Sequence, residues 1–202
     1  MSTATPAPRD ARLDGFLVVA AMVALMWGVE IVDSLDSHNL DEYGIRPHHV
    51  DRLIGIVTAP FLHVSFGHLI GNTVPFVAMG FAIALNGAMR VLAVTGIVMV
   101  VGGFGTWLIA PENSVHIGAS GVVFGFATYL ISRGVFNRSA LELAMGAVVG
   151  AIWGSALLSG LAPHDGISWQ GHLCGGVGGV IAAGMLRRDR GRPGRSLARS
   201  TG

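Results

Sequence analysis

A serine flanked by glycines opens one apolar stretch of the sequence. Ser120 lies in the segment Gly118-Ala119-Ser120-Gly121, directly before the run Val122 to Ile131. For these four residues alone, close packing of helices in lipid is the better explanation, because small residues at such spacing usually serve packing. A serine hydroxyl becomes a strong nucleophile only when a base takes its proton. The interpretation therefore depends on where the other polar residues fall.

Three more polar residues begin apolar stretches in the same way. His68 and Asn72 are four residues apart and share a helix face, and His172 begins a later stretch. Neutral imidazole is a suitable base near pH 7, and pre-aimed donors stabilise the oxyanion that forms when an amide is attacked. We therefore predict that Ser120 is a nucleophile and His172 its base. His68, Asn72 and the Ser120 backbone N–H are the predicted oxyanion donors.

The sequence offers no obvious third member for this pair. Asp165 precedes His172 by seven residues and is only a minor candidate to orient it, so a Ser-His dyad is the preferred interpretation. Phe124, four residues after Ser120, is predicted to pack against the imidazole. Cys174 points to nearly the opposite helix face from His172, so we interpret it as a buried apolar residue and not as a rival nucleophile.

Membrane helices are the elements that must position these residues. Of the 202 residues, 51% are hydrophobic and only 12% are charged, whereas soluble domains carry about 25% charged residues. The single cysteine excludes a disulfide framework and a cysteine-based metal site. The sequence predicts an all-α polytopic membrane protein, a bundle of six transmembrane helices. The six apolar stretches are Gly15–Val32, His68–Leu85, Val91–Ala110, Ala119–Ile131, Leu141–Leu161 and Gly171–Leu186.

Arginine placement predicts the orientation of this bundle. With six spans, eleven of the thirteen arginines fall on the side of the two tails, against Arg46 and Arg52 on the other side. We therefore expect a plasma-membrane protein with both termini in the cytoplasm. Its predicted segments are a disordered cytoplasmic tail (1–14), a six-span core (15–187) and a basic cytoplasmic tail (188–202). Glu142, at the start of the fifth stretch, is predicted to pair with Arg138.

The polar residues are also predicted to lie at similar depth. Ser120 precedes Arg133 by 13 residues and His172 precedes Arg187 by 15, which gives about 20 Å and about 22 Å from the cytoplasmic ends at the helical rise. We therefore expect a water-accessible cavity that opens outward. Close approach of the fourth and sixth stretches is predicted by GxxxG pairs. These pairs are Gly121 with Gly125, and Gly175 with Gly179.

Three separate segments together resemble the signature of the rhomboid family of intramembrane serine proteases. Residues 118–121 resemble its Gly-x-Ser-Gly, residues 63–72 its second-span block ending in His-x-x-x-Asn, and residues 172–179 its sixth-span His-x-x-Gly-x-x-x-Gly. The match covers about Gly15 to Leu186. The resemblance implies a Ser120–His172 dyad and an oxyanion site with His68 and Asn72. Supporting roles are assigned to Gly118, Gly121, Phe124, His63, Gly175 and Gly179.

The resemblance also implies the partners of the protein. We expect it to lie in the lipid bilayer and to cleave other membrane proteins near the outer end of a transmembrane helix, beside a small residue. We expect no cofactor, no metal and no nucleic-acid partner. Phe124 stands where many family members have tyrosine. The remaining histidines fit no zinc signature such as His-Glu-x-x-His and are interpreted as surface residues. They are His38, His48, His49, His116 and His164.

Two other functions stay open at this point. A catalytically inactive relative could bind and escort membrane proteins, but such relatives lack the serine or the histidine, and this chain has both. A proton-coupled transporter could use intramembrane histidines as a relay. Against that function stand the absence of mid-span carboxylates and of inverted-repeat halves.

Overall fold

The computed structural model describes residues 10–164 and 166–188, and this part of the chain is helical. It contains seven α-helices, three short 3-10 helices and no β-strand, which confirms the all-α prediction. Asp165 and most of the two predicted tails lie outside the described residues. The α-helices are α1 (Ala11–Leu35), α2 (Gly55–Thr58), α3 (Phe66–Ala84), α4 (Ala88–Ile109), α5 (Ser120–Asn137), α6 (Ala140–Gly160) and α7 (Trp169–Met185).

Four of these helices are long and apolar enough to cross a membrane, namely α1, α3, α4 and α6. A helix needs about 20 mostly apolar residues to span the hydrocarbon core. Helix α5 carries Arg133 inside its apolar run, and α7 has only 17 residues. The chain is therefore an integral membrane helical bundle. By length and composition, four of the six predicted spans correspond to helices that can cross a membrane.

Helix α5 continues beyond Ile131, where the sequence predicts that the span ends. Arg133 is buried within it, and its guanidinium donates a hydrogen bond of 2.6 Å to the carboxylate of Glu142 at the start of α6. The Arg188 guanidinium lies 3.5 Å from the same carboxylate. Because the buried charge is compensated, the helix runs on to Asn137. The sequence predicts Arg138 as the partner of Glu142, and the structure places Arg133 and Arg188 at its carboxylate.

Helices α5 and α7 pack backbone against backbone. A methyl group on Gly175 would lie 2.1 Å from the carbonyl oxygen of Gly121, and one on Gly179 would lie 2.0 Å from that of Gly125. The atoms in the way belong to the backbone, so they cannot rotate aside as a side chain could. The helices thus approach as closely as the glycine spacing predicts, and this contact fixes the position of α7 beside α5.

The segment between α1 and α3 covers one end of the bundle. Ile45 forms an isolated antiparallel bridge with His116, with N–H to O=C distances of 2.9 Å and 3.0 Å. The indole N–H of Trp107 donates to the His49 carbonyl at 3.2 Å, and the His48 ring N–H donates to the Leu108 carbonyl at 3.0 Å. The segment is therefore tied both to the end of α4 and to the loop that leads to Ser120.

Candidate active site

Ser120 and His172 lie at the starts of two helices that cross closely. Ser120 is the first residue of α5, and His172 lies in the first turn of α7. The Ser120 Oγ and His172 Nε2 atoms are 2.8 Å apart, although the residues are 52 positions apart in sequence. Because Gly121 and Gly175 let the two backbones touch just after these residues, no intervening side chain separates the hydroxyl from the imidazole.

A backbone carbonyl determines the tautomer of His172. The Nδ1 atom lies 2.7 Å from the carbonyl oxygen of Gly160, the last residue of α6. A carbonyl can only accept, so Nδ1 carries the proton and the unprotonated Nε2 accepts from the Ser120 hydroxyl. Carbonyls in the last turn of a helix have no partner within the helix, so that of Gly160 is free for this contact. Sequence analysis missed Gly160, because no side-chain type marks such a carbonyl.

The Phe124 ring packs against one face of the His172 imidazole. The two rings are stacked, with centroids 4.2 Å apart and 6° between their planes. Gly160 lies at the edge of both rings. A methyl group there would lie 2.7 Å from Phe124 Cζ and 3.0 Å from His172 Nδ1. Packing and the Nδ1 hydrogen bond therefore fix both the plane and the rotation of the base.

His68 and Asn72 line the same cavity as Ser120 and His172, and this cavity has a volume of about 580 Å³. The Asn72 amide nitrogen is buried and makes no hydrogen bond with any described residue, so it is a donor available to a ligand. Gly118 has a φ of 112°, in the region that favours glycine. A methyl group on it would also lie 2.6 Å from His68 Cε1. The segment before Ser120 therefore passes directly over the His68 ring.

The His63 side chain contacts this same segment at the backbone of Ala119. Its side chain is fully buried, and its Nε2 accepts a hydrogen bond of 3.4 Å from the backbone N–H of Ala119. Its ring meets that of His68 edge to face, with centroids 5.1 Å apart. Burial, together with the neighbouring His68, lowers the pKa of His63 to about 4. His63 is therefore neutral at physiological pH, as its acceptor role requires.

His116 is a cavity residue that the sequence interpretation as a surface histidine missed. It is partly buried, and its two ring nitrogens lie 2.8 Å from Ser114 Oγ and 2.6 Å from Ser168 Oγ. The Ser114 hydroxyl donates to the Pro111 carbonyl, so it accepts from His116 Nε2–H, which leaves Nδ1 to accept from Ser168. Burial lowers the pKa of His116. Only its spacing of four residues before Ser120 could have drawn attention to it.

The Cys174 thiol lies away from this dyad. A methyl group on Gly105 of α4 would lie 2.8 Å from Cys174 Sγ, so the thiol faces α4 and not Ser120. No carboxylate is among the described residues that line the cavity. A hydroxyl bonded to an oriented imidazole, beside the unpartnered Asn72 amide in a cavity large enough for water, is an arrangement suited to acyl transfer.

Comparison with known proteins gives a family match over most of the chain. Residues 50–189 match the Rhomboid domain family. The chain is 40% identical over 194 residues to the uncharacterized protein Rv1337 of Mycobacterium tuberculosis, covering 92% of this chain and 80% of that protein. It is 41% identical over 181 residues to the uncharacterized protein ML1171 of Mycobacterium leprae, covering 85% and 71%. The Bacillus subtilis protein YdcA, provisionally named a rhomboid protease, is 30% identical over 130 residues, covering 62% and 63%.

Proposed function

Because the chain belongs to the rhomboid family, we propose that it is an intramembrane serine endopeptidase that acts through a Ser120–His172 dyad. The observation that carries this proposal is the 2.8 Å contact between Ser120 Oγ and His172 Nε2. The contact of His172 Nδ1 with the Gly160 carbonyl supports it, because that contact leaves Nε2 free to accept the hydroxyl proton. Family membership alone would fit a non-catalytic relative equally well.

The proposed reaction proceeds through an acyl-enzyme. Ser120 Oγ attacks the carbonyl carbon of the scissile peptide while its proton passes to His172 Nε2. The imidazolium then gives this proton to the leaving amine, and the peptide C–N bond breaks. A water molecule from the cavity then loses a proton to the same nitrogen and attacks the ester. The ester C–O bond breaks as the imidazolium returns that proton to Ser120 Oγ. The Gly160 carbonyl holds Nδ1–H throughout and stabilises the transient positive charge on the ring.

The oxyanion is proposed to lie between the start of α5 and the start of α3. The Ser120 N–H is at a helix N-terminus, where backbone donors are free and the helix dipole favours negative charge. The Asn72 amide nitrogen makes no hydrogen bond to a described residue and is available as a second donor. His68 completes the set from the same face of α3. Loss of one such donor typically costs about 10²- to 10³-fold in rate.

We further propose how the protein lies in the membrane. All six long helices cross the plasma membrane, and both termini lie in the cytoplasm. The arginine distribution supports this orientation. The starts of α3, α5 and α7 then lie toward the outer face, and so does the cavity that they enclose. The substrates are proposed to be transmembrane helices that unwind near their outer ends. An extended segment is needed because a helical peptide bond is shielded by its own hydrogen bonds.

The proposal is tested by trapping the nucleophile. A serine-directed fluorophosphonate probe should label the natural chain, whereas Ser120→Ala and His172→Ala should not be labelled. Ser132→Ala is the matched control, because Ser132 lies on the same helix and its hydroxyl donates to the Thr128 carbonyl instead. Coexpression with a single-span reporter should give a cleaved fragment that depends on the same two residues. Cleavage that persists in both active-site variants would overturn the proposal.

A further inference from the structure

A group of carboxylates and one imidazole lies outside the catalytic cavity, where α1 ends. Asp33 is in the last turn of α1, and His38 and Asp41 follow in the next loop. One potential ligand atom from each of the three residues lies within 4.8 Å of the other two. Asp33 is fully buried, Asp41 is partly buried, and the His38 side chain is 41% exposed. The group is therefore anchored inside the protein by Asp33 and exposed to solvent at His38.

Glu30 provides a second and independent observation. It is 0% exposed, and neither of its carboxylate oxygens has a hydrogen-bond partner among the described residues. It lies one helical turn before Asp33 on the same face of α1, and it interacts electrostatically with both Asp33 and His38. A fully buried carboxylate without a partner is costly. Its position beside the other three groups indicates that something positive belongs there.

No basic side chain in the described part of the chain supplies that charge. The one ion pair found for these three carboxylates joins Asp33 Oδ2 to His38 Nδ1 at 3.5 Å. The sequence contains no lysine. Arg46 lines the pocket that contains His38 and Asp41, but the contact found for its guanidinium is with the Glu42 backbone carbonyl. Negative charge thus exceeds positive charge around this group.

We propose that Asp33, His38 and Asp41 bind a divalent transition-metal ion of the zinc class, with Glu30 as a further ligand or as the nearest countercharge. One imidazole nitrogen with several carboxylate oxygens suits Zn²⁺, whereas Ca²⁺ and Mg²⁺ prefer all-oxygen sites. Mn²⁺ should bind more weakly than Zn²⁺. The sequence expectation of no metal rested on the lack of a local zinc signature. This site combines a helix with a loop, and no such signature describes it.

The ion would stiffen the loop that reaches the catalytic cavity. Asp33 already holds this loop, since its carboxylate accepts a 2.7 Å hydrogen bond from the Leu40 N–H. The loop leads to Ile45, which pairs with His116 through backbone hydrogen bonds. The pocket beside His38 and the catalytic cavity share three lining residues. These are Val64, Val115 and Ile117. The metal site does not depend on the proposed protease activity.

Zinc binding to the full-length protein in detergent tests this inference. After EDTA treatment and dialysis, equilibrium dialysis with elemental analysis should give one tightly bound Zn²⁺ per chain and an upward shift of the melting temperature. Asp33→Asn and Asp41→Asn should each weaken binding at least about tenfold. Asparagine keeps the shape of aspartate and, at position 33, the acceptor for Leu40. The matched controls Asp36→Asn and His49→Ala, both exposed in the same region, should bind zinc normally.

A second variant keeps the test valid if Asp33→Asn fails to fold. His38→Asn changes a largely exposed side chain, and asparagine tolerates its left-handed backbone (φ 60°). It should fold, as judged by circular dichroism, and still lose at least about tenfold in zinc affinity. Two results would overturn the inference. One is a natural chain that binds no zinc, and the other is zinc binding that is unchanged in the folded cluster variants Asp41→Asn and His38→Asn.

Discussion

The imidazole of His172 lies flat against the ring of Phe124, with 4.2 Å between centroids and 6° between planes. This contact joins α5 and α7 at the point where Ser120 Oγ meets His172 Nε2. A carboxylate is the usual means of orienting a catalytic histidine. In this protein a stacked ring and a backbone carbonyl orient His172. Orientation by neutral groups leaves the imidazole without a buried negative neighbour among the residues that line the cavity.

Replacing Phe124 with leucine should lower kcat and leave KM almost unchanged. Leucine keeps the apolar volume but removes the flat face, and a paired aromatic ring contributes about 0.5–1.5 kcal/mol beyond its buried area. We therefore expect a three- to tenfold loss of kcat on a single-span substrate, as such an energy corresponds to about that factor. Phe104→Leu, which changes an exposed ring on α4, is the control. An unchanged kcat would show that the stack does not orient the base.

Gly160→Ala should remove activity while the bundle stays folded. The added methyl group would lie 2.7 Å from Phe124 Cζ and 3.0 Å from His172 Nδ1, so it would push the base away from Ser120. Misplacement of a reacting group by about 1 Å can cost about 10²-fold. Gly154→Ala on the same helix is the matched control, because nothing lies within 4 Å of a methyl group there. Equal activity of the two variants would show that the close packing of Gly160 against the imidazole is not needed to position it.

The positions of the four polar residues could be predicted because each follows from where an apolar run begins. Ser120 and His172 mark the starts of α5 and α7, and the four-residue spacing of His68 and Asn72 gives them one face. These are local properties of sequence. Because the helical rise is constant, the distances from the cytoplasmic ends also predict a similar depth for Ser120 and His172.

Other features depend on tertiary contacts that no local pattern records. Gly160 acts through its carbonyl, which every residue has. His116 reaches the cavity because its loop folds back to pair with Ile45. From the sequence, Arg133 marks the end of a predicted span. In the structure, the turn between α5 and α6 places Glu142 beside it. In each case the residue can be identified in the sequence, but the residue that it contacts cannot.

Gly175→Ala should destabilise the protein far more than Gly176→Ala. A methyl group on Gly175 would lie 2.1 Å from the Gly121 carbonyl oxygen, whereas one on Gly176 would meet Thr128 Cγ2 at 3.5 Å, an ordinary contact. Overpacking of this kind costs about 1–3 kcal/mol or more. The thermal unfolding midpoint in detergent should therefore fall clearly for Gly175→Ala and change little for Gly176→Ala. Equal midpoints would mean that α5 and α7 can separate without loss of stability.

His116→Ala should reduce activity by loosening the cavity wall. The ring links Ser114 in the loop after α4 to Ser168, whose hydroxyl also caps α7 by accepting from the Gly171 N–H. Without the ring, α7 loses one restraint just before His172. We expect a fall in kcat of about tenfold, in line with loss of one or two hydrogen bonds of about 1 kcal/mol each. His116→Gln should recover part of it, and the exposed His164→Ala should have no effect. Full activity of His116→Ala would show that His116 does not contribute to the activity of the site.

His63 should make the protein less stable as the pH falls below neutrality. The unfolded chain titrates at the ordinary histidine pKa of 6.5, whereas burial and His68 lower the folded pKa of His63 to about 4. Between these values the unfolded chain binds a proton that the folded chain does not, so stability falls with decreasing pH and the loss is complete below about pH 4. The full difference corresponds to roughly 3 kcal/mol.

The measurement compares unfolding midpoints of the natural chain and His63→Gln between pH 7.5 and pH 4.5. Glutamine can still accept from the Ala119 N–H through its amide oxygen, but it does not titrate. The natural chain should therefore lose stability more steeply toward pH 4.5 than the variant does. Histidines other than the neighbouring His68 titrate alike in both proteins, so their effects cancel in the difference, and His164→Gln should follow the natural chain. Parallel curves for the natural chain and His63→Gln would show that His63 is already protonated, or free to leave Ala119, in the folded protein.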